Sequence, residues 1–367
     1  LQMRGGRPVL STLGLPKKTK ILQLYRGVMS YKISITKSGP PEVLDIVEIP
    51  TPEPSDGEVC IKVHYAGINF ADTLMRLGLY NPRPAYPFTP GYEVSGIIES
   101  LGPNVTGLAV GDRVVAAMQT GGQASHVCSS MNRVIKIPEE IALDVAASIP
   151  VTYLTAHHML HYLGHLKKGE SVLIHGGAGG VGTAALQLCK WAGIDKVWAT
   201  ASGSKLQIIE SHGATAIDRE KQDFVAIIKS ETDGRGVDHI LDPIGGDNLR
   251  RSLSVLAEGG KLYTFGLSAA APSSKPSKIK SFLAWRKTPK FDPLRLMNRN
   301  RGVFGVHMGT WKDEDAIRGQ LARIMEGISK GHLKPVIDSV WPAKDVAKAH
   351  HHIHGRKNTG KVLLHFE

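Results

Sequence analysis

The segment Gly177-Ala178-Gly179-Gly180-Val181-Gly182 matches G-x-G-x-x-G, and Gly176, Gly179 and Gly182 recur at intervals of three. Small residues at this spacing let a backbone turn tightly and approach a pyrophosphate, whose charge then meets the free N–H groups of a helix N-terminus. The setting gives the spacing its meaning. The apolar run Ser171–His175 precedes it, and Val181, Ala184, Ala185, Leu188, Cys189 and Ala192 follow at helical intervals. A plain β–α turn without a ligand is the competing reading. Sites for the unphosphorylated dinucleotide place an acid about 20 residues further on, to bond the ribose hydroxyls. Here Ala201-Ser202-Gly203-Ser204-Lys205 holds none. A carboxylate would repel a 2′-phosphate, whereas the Lys205 ammonium and the Ser202 hydroxyl attract one, so the expected ligand is NADPH. Arg219 offers a second cation or a stacking partner for adenine. The alternative for Lys205 and Arg219 is an ordinary solvated charge.

Other chemistry finds less support. No serine or cysteine sits in a nucleophile elbow, and no Ser-His-Asp or Cys-His arrangement stands out. His157, His161 and His165 fall four apart, and His350, His351, His352 and His354 crowd a C-terminal stretch. Histidines at i, i+4 can chelate an ion, but neither group has an acidic partner at an obvious spacing, so packed or solvated rings are expected. Cys60, Cys128 and Cys189 are far apart along the chain and odd in number, which builds neither a disulfide framework nor a four-cysteine zinc lobe.

The elements that must position these residues fall into two kinds. From Tyr31 to Pro150 the chain reads as short strands and turns. Glu58–Ala66 alternates apolar and polar residues and is expected to stop at Gly67. Gly96–Leu101 and Asp112–Ala117 read as strands, and four prolines make 81–91 an extended surface loop. From Thr152 the pattern becomes alternating strands and helices. Ser171–His175, Lys196–Ala201, Ala214–Asp218, Val237–Asp242, Lys261–Gly266 and Val303–Val306 are the strands, which predicts an α/β fold with a doubly wound parallel sheet of Rossmann type. A basic, proline-broken insertion at 269–301 interrupts it, with a short helix near Phe282–Trp285. Asp315–Ser329 reads as an amphipathic helix. Val336–Trp341 and Lys361–His365 are strands that return to the first domain. The expected division is 29–152 with 309–367 as one domain and 153–308 as the dinucleotide-binding one.

The 367 residues carry a formal charge of +12 and suit two domains. Residues 1–28 are basic and free of acids, the first acid being Glu42. That segment reads as an upstream extension, with Met29 as the natural start, or as a mitochondrial presequence. No run of 18 apolar residues occurs. A reducing, cytoplasmic setting is the default, with mitochondrial or peripheral membrane association as the alternatives.

Gly67-Ile68-Asn69-Phe70-Ala71-Asp72, Gly78-Leu79-Tyr80, Pro90-Gly91-Tyr92-Glu93, Thr152-Tyr153-Leu154-Thr155-Ala156 and the glycine loop occur in the order seen in the medium-chain dehydrogenase/reductase superfamily. They resemble its quinone oxidoreductase, or zeta-crystallin, branch. Phe304–Gly309 and His332–Pro342 are most similar to the vesicle amine transport protein homologues. The resemblance runs from Met29 to Phe366 and implies a mainly β, GroES-like catalytic domain beside the Rossmann domain. It places Asn69 and Asp72 beside the nicotinamide and its ribose, Tyr80 at the substrate pocket and Thr155 on the nicotinamide side. Gly176, Ala178, Gly179, Gly180, Val181 and Gly182 hold the pyrophosphate. Phe265, Gly266, Leu267 and His307 line the nicotinamide end, and Asn358 closes over the cofactor. From the residues alone, Asn69 reads equally well as the cap of a helix starting at Phe70.

Zinc members of that superfamily carry a cysteine just after the strand equivalent to Ile61–Ala66, and a His-Glu pair after a glycine. Gly67-Ile68-Asn69-Phe70 and Gly91-Tyr92-Glu93 stand there instead, so no metal is expected. Without a Lewis acid the implied substrates are already electron-poor: quinones or α,β-unsaturated carbonyls. Tyr80 or a water is then the proton source. The resemblance also implies a homodimer, paired at the Val303–Val306 edge. An alternative expectation is a cofactor-binding interaction protein whose basic insertion touches anionic lipid. RNA binding has no recognition signature in its favour.

Overall fold

Alternation along Glu58–Ile68 turns Val59, Ile61 and Val63 into a core, each at most 1% exposed, while Lys62 faces solvent. The computed structural model describes residues 29–367 except 81, 82 and 272; residues 1–28, with both readings of them, lie outside the described residues. Strands β1 (Met29–Ile35) and β2 (Leu44–Pro50) form an antiparallel pair. Next come β3 (Glu58–Ile68), β4 (Glu93–Leu101), β5 (Arg113–Ala117), β6 (His126–Ser130) and β7 (Val134–Lys136). The second half supplies β8 (Ser171–His175), β9 (Lys196–Ala201), β10 (Thr215–Asp218), β11 (Val237–Asp242), β12 (Leu256–Thr264) and β13 (Gly302–Gly305). Strands β14 (Ile337–Pro342) and β15 (Lys361–His365) end the chain.

Two sheets organise the site. One is parallel, in the order β10-β9-β8-β11-β12-β13, which is the doubly wound arrangement with its switch point between β8 and β11. The other follows β14-β15-β3-β4-β5-β7, with β6 also on β3. Strand β15 pairs antiparallel with β3, so the end of the chain joins the sheet built by its beginning. The fold is therefore a Rossmann sheet plus a mainly β, GroES-like one.

Several expectations need correction. Strand β3 does not stop at Gly67 but runs on to Ile68. A Cβ on Gly67 would lie 2.3 Å from the Glu93 carboxylate, so the glycine makes room for that side chain rather than a turn. Strand β12 begins at Leu256, five residues earlier than expected, and the insertion helix is longer, Lys278–Lys287, with a second at Pro293–Met297. The helix Pro150–His157 passes into a π-helical turn at His158–Leu163. His165 then leaves it at φ +50, so it shares no face with His157 and His161, whose rings lie 4.9 Å apart. Acids absent from the local sequence reach the second histidine group: Glu42 bonds His351 and Asp338 bonds His352, each at 2.7 Å. Among the described residues no helix is long and apolar enough to cross a membrane.

The other two histidines of that group face a fully buried arginine. Arg76 donates to the Gly39 carbonyl and lies 3.4 Å from both His350 Nδ1 and His354 Nδ1. Burial, then the Arg76 charge, drives His350 well below the ordinary histidine range and His354 to about 4. Burial and His157 also lower His161 to about 4. An unfolded histidine takes up a proton near pH 6.5, which these folded rings resist, so their stabilisation is complete above about pH 6.5 and drains as pH falls toward 4. Asp72 opposes this, because burial raises its carboxyl to about 7 and the folded state gains as it protonates. Three rings outweigh one carboxyl. The thermal midpoint is expected to fall steadily between pH 6.5 and 4.5 in scanning calorimetry, and a rising midpoint would contradict this packing.

Candidate functional site

Strand β8 ends at the switch point, and the chain turns there at Gly176, whose φ of +69 suits glycine. The loop is tight because its neighbours leave no room for side chains. A Cβ on Gly177 would meet Ala199 Cβ at 2.6 Å, and one on Gly182 would lie 2.3 Å from the Gly176 carbonyl oxygen. The helix Gly180–Trp191 thus starts directly on the loop, with its first N–H groups facing a cavity of about 440 Å³ between the two sheets. Strand β15's approach bridges to the loop: the Gly360 N–H donates to the Ala178 carbonyl at 2.8 Å.

Most residues singled out from the sequence meet at this cavity. Gly176, Ala178, Gly179, Gly180, Val181, Gly182, Ser202, Lys205, Arg219, Phe265, Gly266, His307, Asn358, Asn69, Tyr80 and Thr155 all line it. Asp72 and Leu267 do not. Both Asp72 oxygens are spent on backbone, accepting the N–H of Asn69 at 2.7 Å and of Gly91 at 3.1 Å. Asp72 therefore shapes the wall from behind. Leu267 packs over Gly245, where its Cδ1 lies 2.4 Å from the position a Cβ would take.

One end of the cavity is cationic. Lys205 donates to the carbonyls of Arg356, at 2.7 Å, and Asn358, which ties the loop after β9 to the segment before β15. Arg219 and Arg356 line the same end. Burial, and Arg219 beyond it, hold the Lys205 ammonium and the Arg356 guanidinium below their usual ranges. The carboxylate of Asp218 is turned under the loop, where it accepts the Glu220 N–H at 3.0 Å. This end fits a phosphate on a ribose. Arg356 escaped sequence reasoning because it lies 151 positions from Lys205's neighbourhood and no motif marks it.

The opposite end is apolar and contains a buried polar knot. Lys361, at the start of β15, pairs with Glu93, at the start of β4; they are 4% and 0% exposed. Lys361 Nζ also donates to Asn69 Oδ1 at 2.6 Å, and Asn69 Nδ2 donates to Glu93 Oε1 at 3.0 Å. The other Glu93 oxygen accepts the Val151 N–H at 2.7 Å. Asn69 is also the N-cap of the helix Phe70–Arg76, in a capping box with Asp72, so its side chain serves both the helix and this network. Beyond the knot lie Tyr80 and Tyr92, and burial raises both phenols. The Tyr80 ring lies 5.2 Å from that of His307. Among the described residues no group of three or more His, Cys, Asp or Glu is disposed to hold a metal ion.

The cavity can therefore take an elongated ligand, phosphorylated at one end and flat at the other, against a floor of backbone N–H groups. Two family models match the chain: "Alcohol dehydrogenase GroES-like domain" over residues 55–140 and "Zinc-binding dehydrogenase" over residues 212–364. The human synaptic vesicle membrane protein VAT-1 homolog is 36% identical over 315 residues, covering 85% of this chain and 80% of that protein. Quinone oxidoreductase of Pongo abelii is 34% identical over 337 residues, covering 90% of this chain and 96% of its own. The structure of Escherichia coli quinone oxidoreductase complexed with NADPH superposes with a TM-score of 0.81 at 28% identity, covering 92% of this chain and all of that one.

Breaking the knot from one side leaves a carboxylate buried without its cation. Lys361→Met is expected to cost about 3–5 kcal/mol in urea denaturation. Adding Glu93→Gln to it should recover part of that loss, because the stranded charge is gone. Strictly additive losses would contradict the pairing.

Proposed function

The chain belongs to the quinone oxidoreductase family of the medium-chain dehydrogenase/reductase superfamily, close to the VAT-1 homologues, and from that premise we propose that it is a zinc-independent, NADPH-dependent reductase of quinones or α,β-unsaturated carbonyls. The observation that carries the cofactor is the cationic end: Lys205, Arg219 and Arg356 line it, and the acid that would bond an unphosphorylated ribose is absent. The glycine loop serves the pyrophosphate, and Ser202 adds a hydroxyl to the phosphate end. Asn69, Thr155, Phe265, Gly266 and Asn358 serve the nicotinamide half, with His307 on its acceptor side and Asp72 and Leu267 supporting that wall from behind.

Bound in this way, NADPH supplies the hydride. The protein's part is to hold the acceptor against the ring, exclude water and steady charge on the acceptor's oxygen. Zinc independence is supported by the fate of Glu93. Its carboxylate is neutralised by Lys361 and bonded by Asn69, and Tyr92 stands where the zinc relatives place a histidine. Lacking a Lewis acid, the site suits acceptors that are electrophilic by themselves.

A second reading concerns partners. The helix Lys278–Lys287 exposes Ile279 at 75%, Phe282 at 55% and Trp285 at 65%, in a stretch with no acid between Glu258 and Asp292. That combination suits peripheral contact with an anionic membrane, and the outer edge of β13 suits pairing in a homodimer. Vesicles rich in phosphatidylserine should retain the protein at low salt and release it at high salt; no retention at low salt would remove the membrane reading.

The cofactor claim is tested by fluorescence titration with NADPH and NADH. Lys205→Ala should weaken NADPH about tenfold or more, the worth of a charge-assisted bond, and leave NADH unchanged. Wild-type protein should then oxidise NADPH with members of a quinone and enone panel. Equal losses for both cofactors, or no oxidation with any acceptor, would contradict the proposal.

A further inference from the structure

His307 lies just beyond β13, and its backbone is fixed: its carbonyl accepts the Thr310 N–H at 3.1 Å and the Thr310 hydroxyl at 3.0 Å. Its ring reaches into the apolar end of the cavity beside Tyr80. Gly309 leaves space there, since a Cβ on it would lie 3.1 Å from His307 Cε1. Both ring nitrogens are buried and neither has a hydrogen-bond partner. A buried donor or acceptor left unmade costs about 1–3 kcal/mol, and such a group inside a site calls for a ligand.

The polar side chains of the knot are already committed. The Asn69 amide is held by Glu93 and Lys361, and Lys361 is held by both of them. The Tyr92 hydroxyl donates to Met75 Sδ at 3.6 Å. His307 keeps a ring N–H with no partner inside the protein.

We propose that His307 binds the carbonyl oxygen of the acceptor, donating a ring N–H to the charge that gathers there during reduction. The inference rests on the reductase reading and gives His307 the role of donor to the acceptor's oxygen. For an enone, the β-carbon accepts the hydride pair from NADPH, which becomes NADP⁺. The C=C π pair moves toward the carbonyl carbon and the C=O π pair onto oxygen, forming an enolate. His307 shares its proton with that oxygen and keeps it. A proton from solvent then closes at the α-carbon, so one hydride and one proton are added in all. For a quinone the same N–H donates to one oxygen, and one hydride with one proton from solvent gives the hydroquinone.

The test uses 4-nitrophenolate as a stable mimic of the enolate oxygen, bound to NADP⁺-loaded protein and followed by its visible absorption. Wild type should bind it with a shifted band. His307→Leu should lose at least tenfold in phenolate affinity and about a hundredfold in enone kcat, the scale of a removed oxyanion donor. His307→Gln, which keeps an N–H, should retain most of the phenolate affinity. NADP⁺ affinity should stay within twofold throughout. Phenolate binding unchanged in His307→Leu, or absent from wild type, overturns the proposal. So does a Leu variant that loses NADP⁺ as well, because His307 would then serve the cofactor. If the phenolate results hold while wild type reduces no enone or quinone, His307 keeps its role as an oxyanion binder and it is the reductase reading that fails.

Discussion

The site depends on one buried ion pair. Lys361 and Glu93 come from strands at opposite ends of the chain, and their contact is sealed from water. Two charges in such a place are tolerated only when every remaining polar atom is satisfied. Here Asn69, the Val151 N–H and the pair itself do that. One knot thereby fixes the start of β4, the end of β3, the beginning of the helix that leads to the glycine loop's neighbour Thr152, and the strand that returns from the far end. Gly67 belongs to the same arrangement, since any side chain there would displace Glu93.

The knot also divides the cavity by charge. Cations gather where β9 ends and polar atoms are consumed where the flat end of a ligand would lie, so a phosphorylated dinucleotide has a single favourable direction. Lys205 carries a further consequence. Its bonds to the carbonyls of Arg356 and Asn358 join the two sheets across the cavity mouth.

Much of this was legible in the residues. The glycine loop, the missing acid and Lys205 are local patterns, and local patterns survive into the structure because a β–α turn is a local object. The strands Ser171–His175, Lys196–Ala201, Val237–Asp242 and Lys361–His365 were readable for the same reason. What stayed hidden was set by distance along the chain. The partner of Glu93 lies 268 positions away, and no motif marks Lys361. Cys60 and Cys128 read as unrelated, yet β3 and β6 set them directly opposite each other. The acids that meet His351 and His352 come from β14 and from the turn after β1. Gly67 misled in a different way, because a glycine can mark a strand's end or a neighbour's bulk, and only the neighbour decides. Asp72, expected at the cofactor, bonds backbone instead and does not line the cavity.

The central claim is that the cavity between the two sheets holds NADPH in one direction, phosphate at Lys205 and nicotinamide toward Asn69 and His307. A crystal structure of the protein grown with NADPH tests this most directly. The account predicts the 2′-phosphate within hydrogen-bond distance of Lys205, with the pyrophosphate on the N–H groups of Gly179–Gly182 and the nicotinamide beside His307. A cofactor bound with its phosphate away from Lys205, or nicotinamide density outside the Asn69 end, would contradict it.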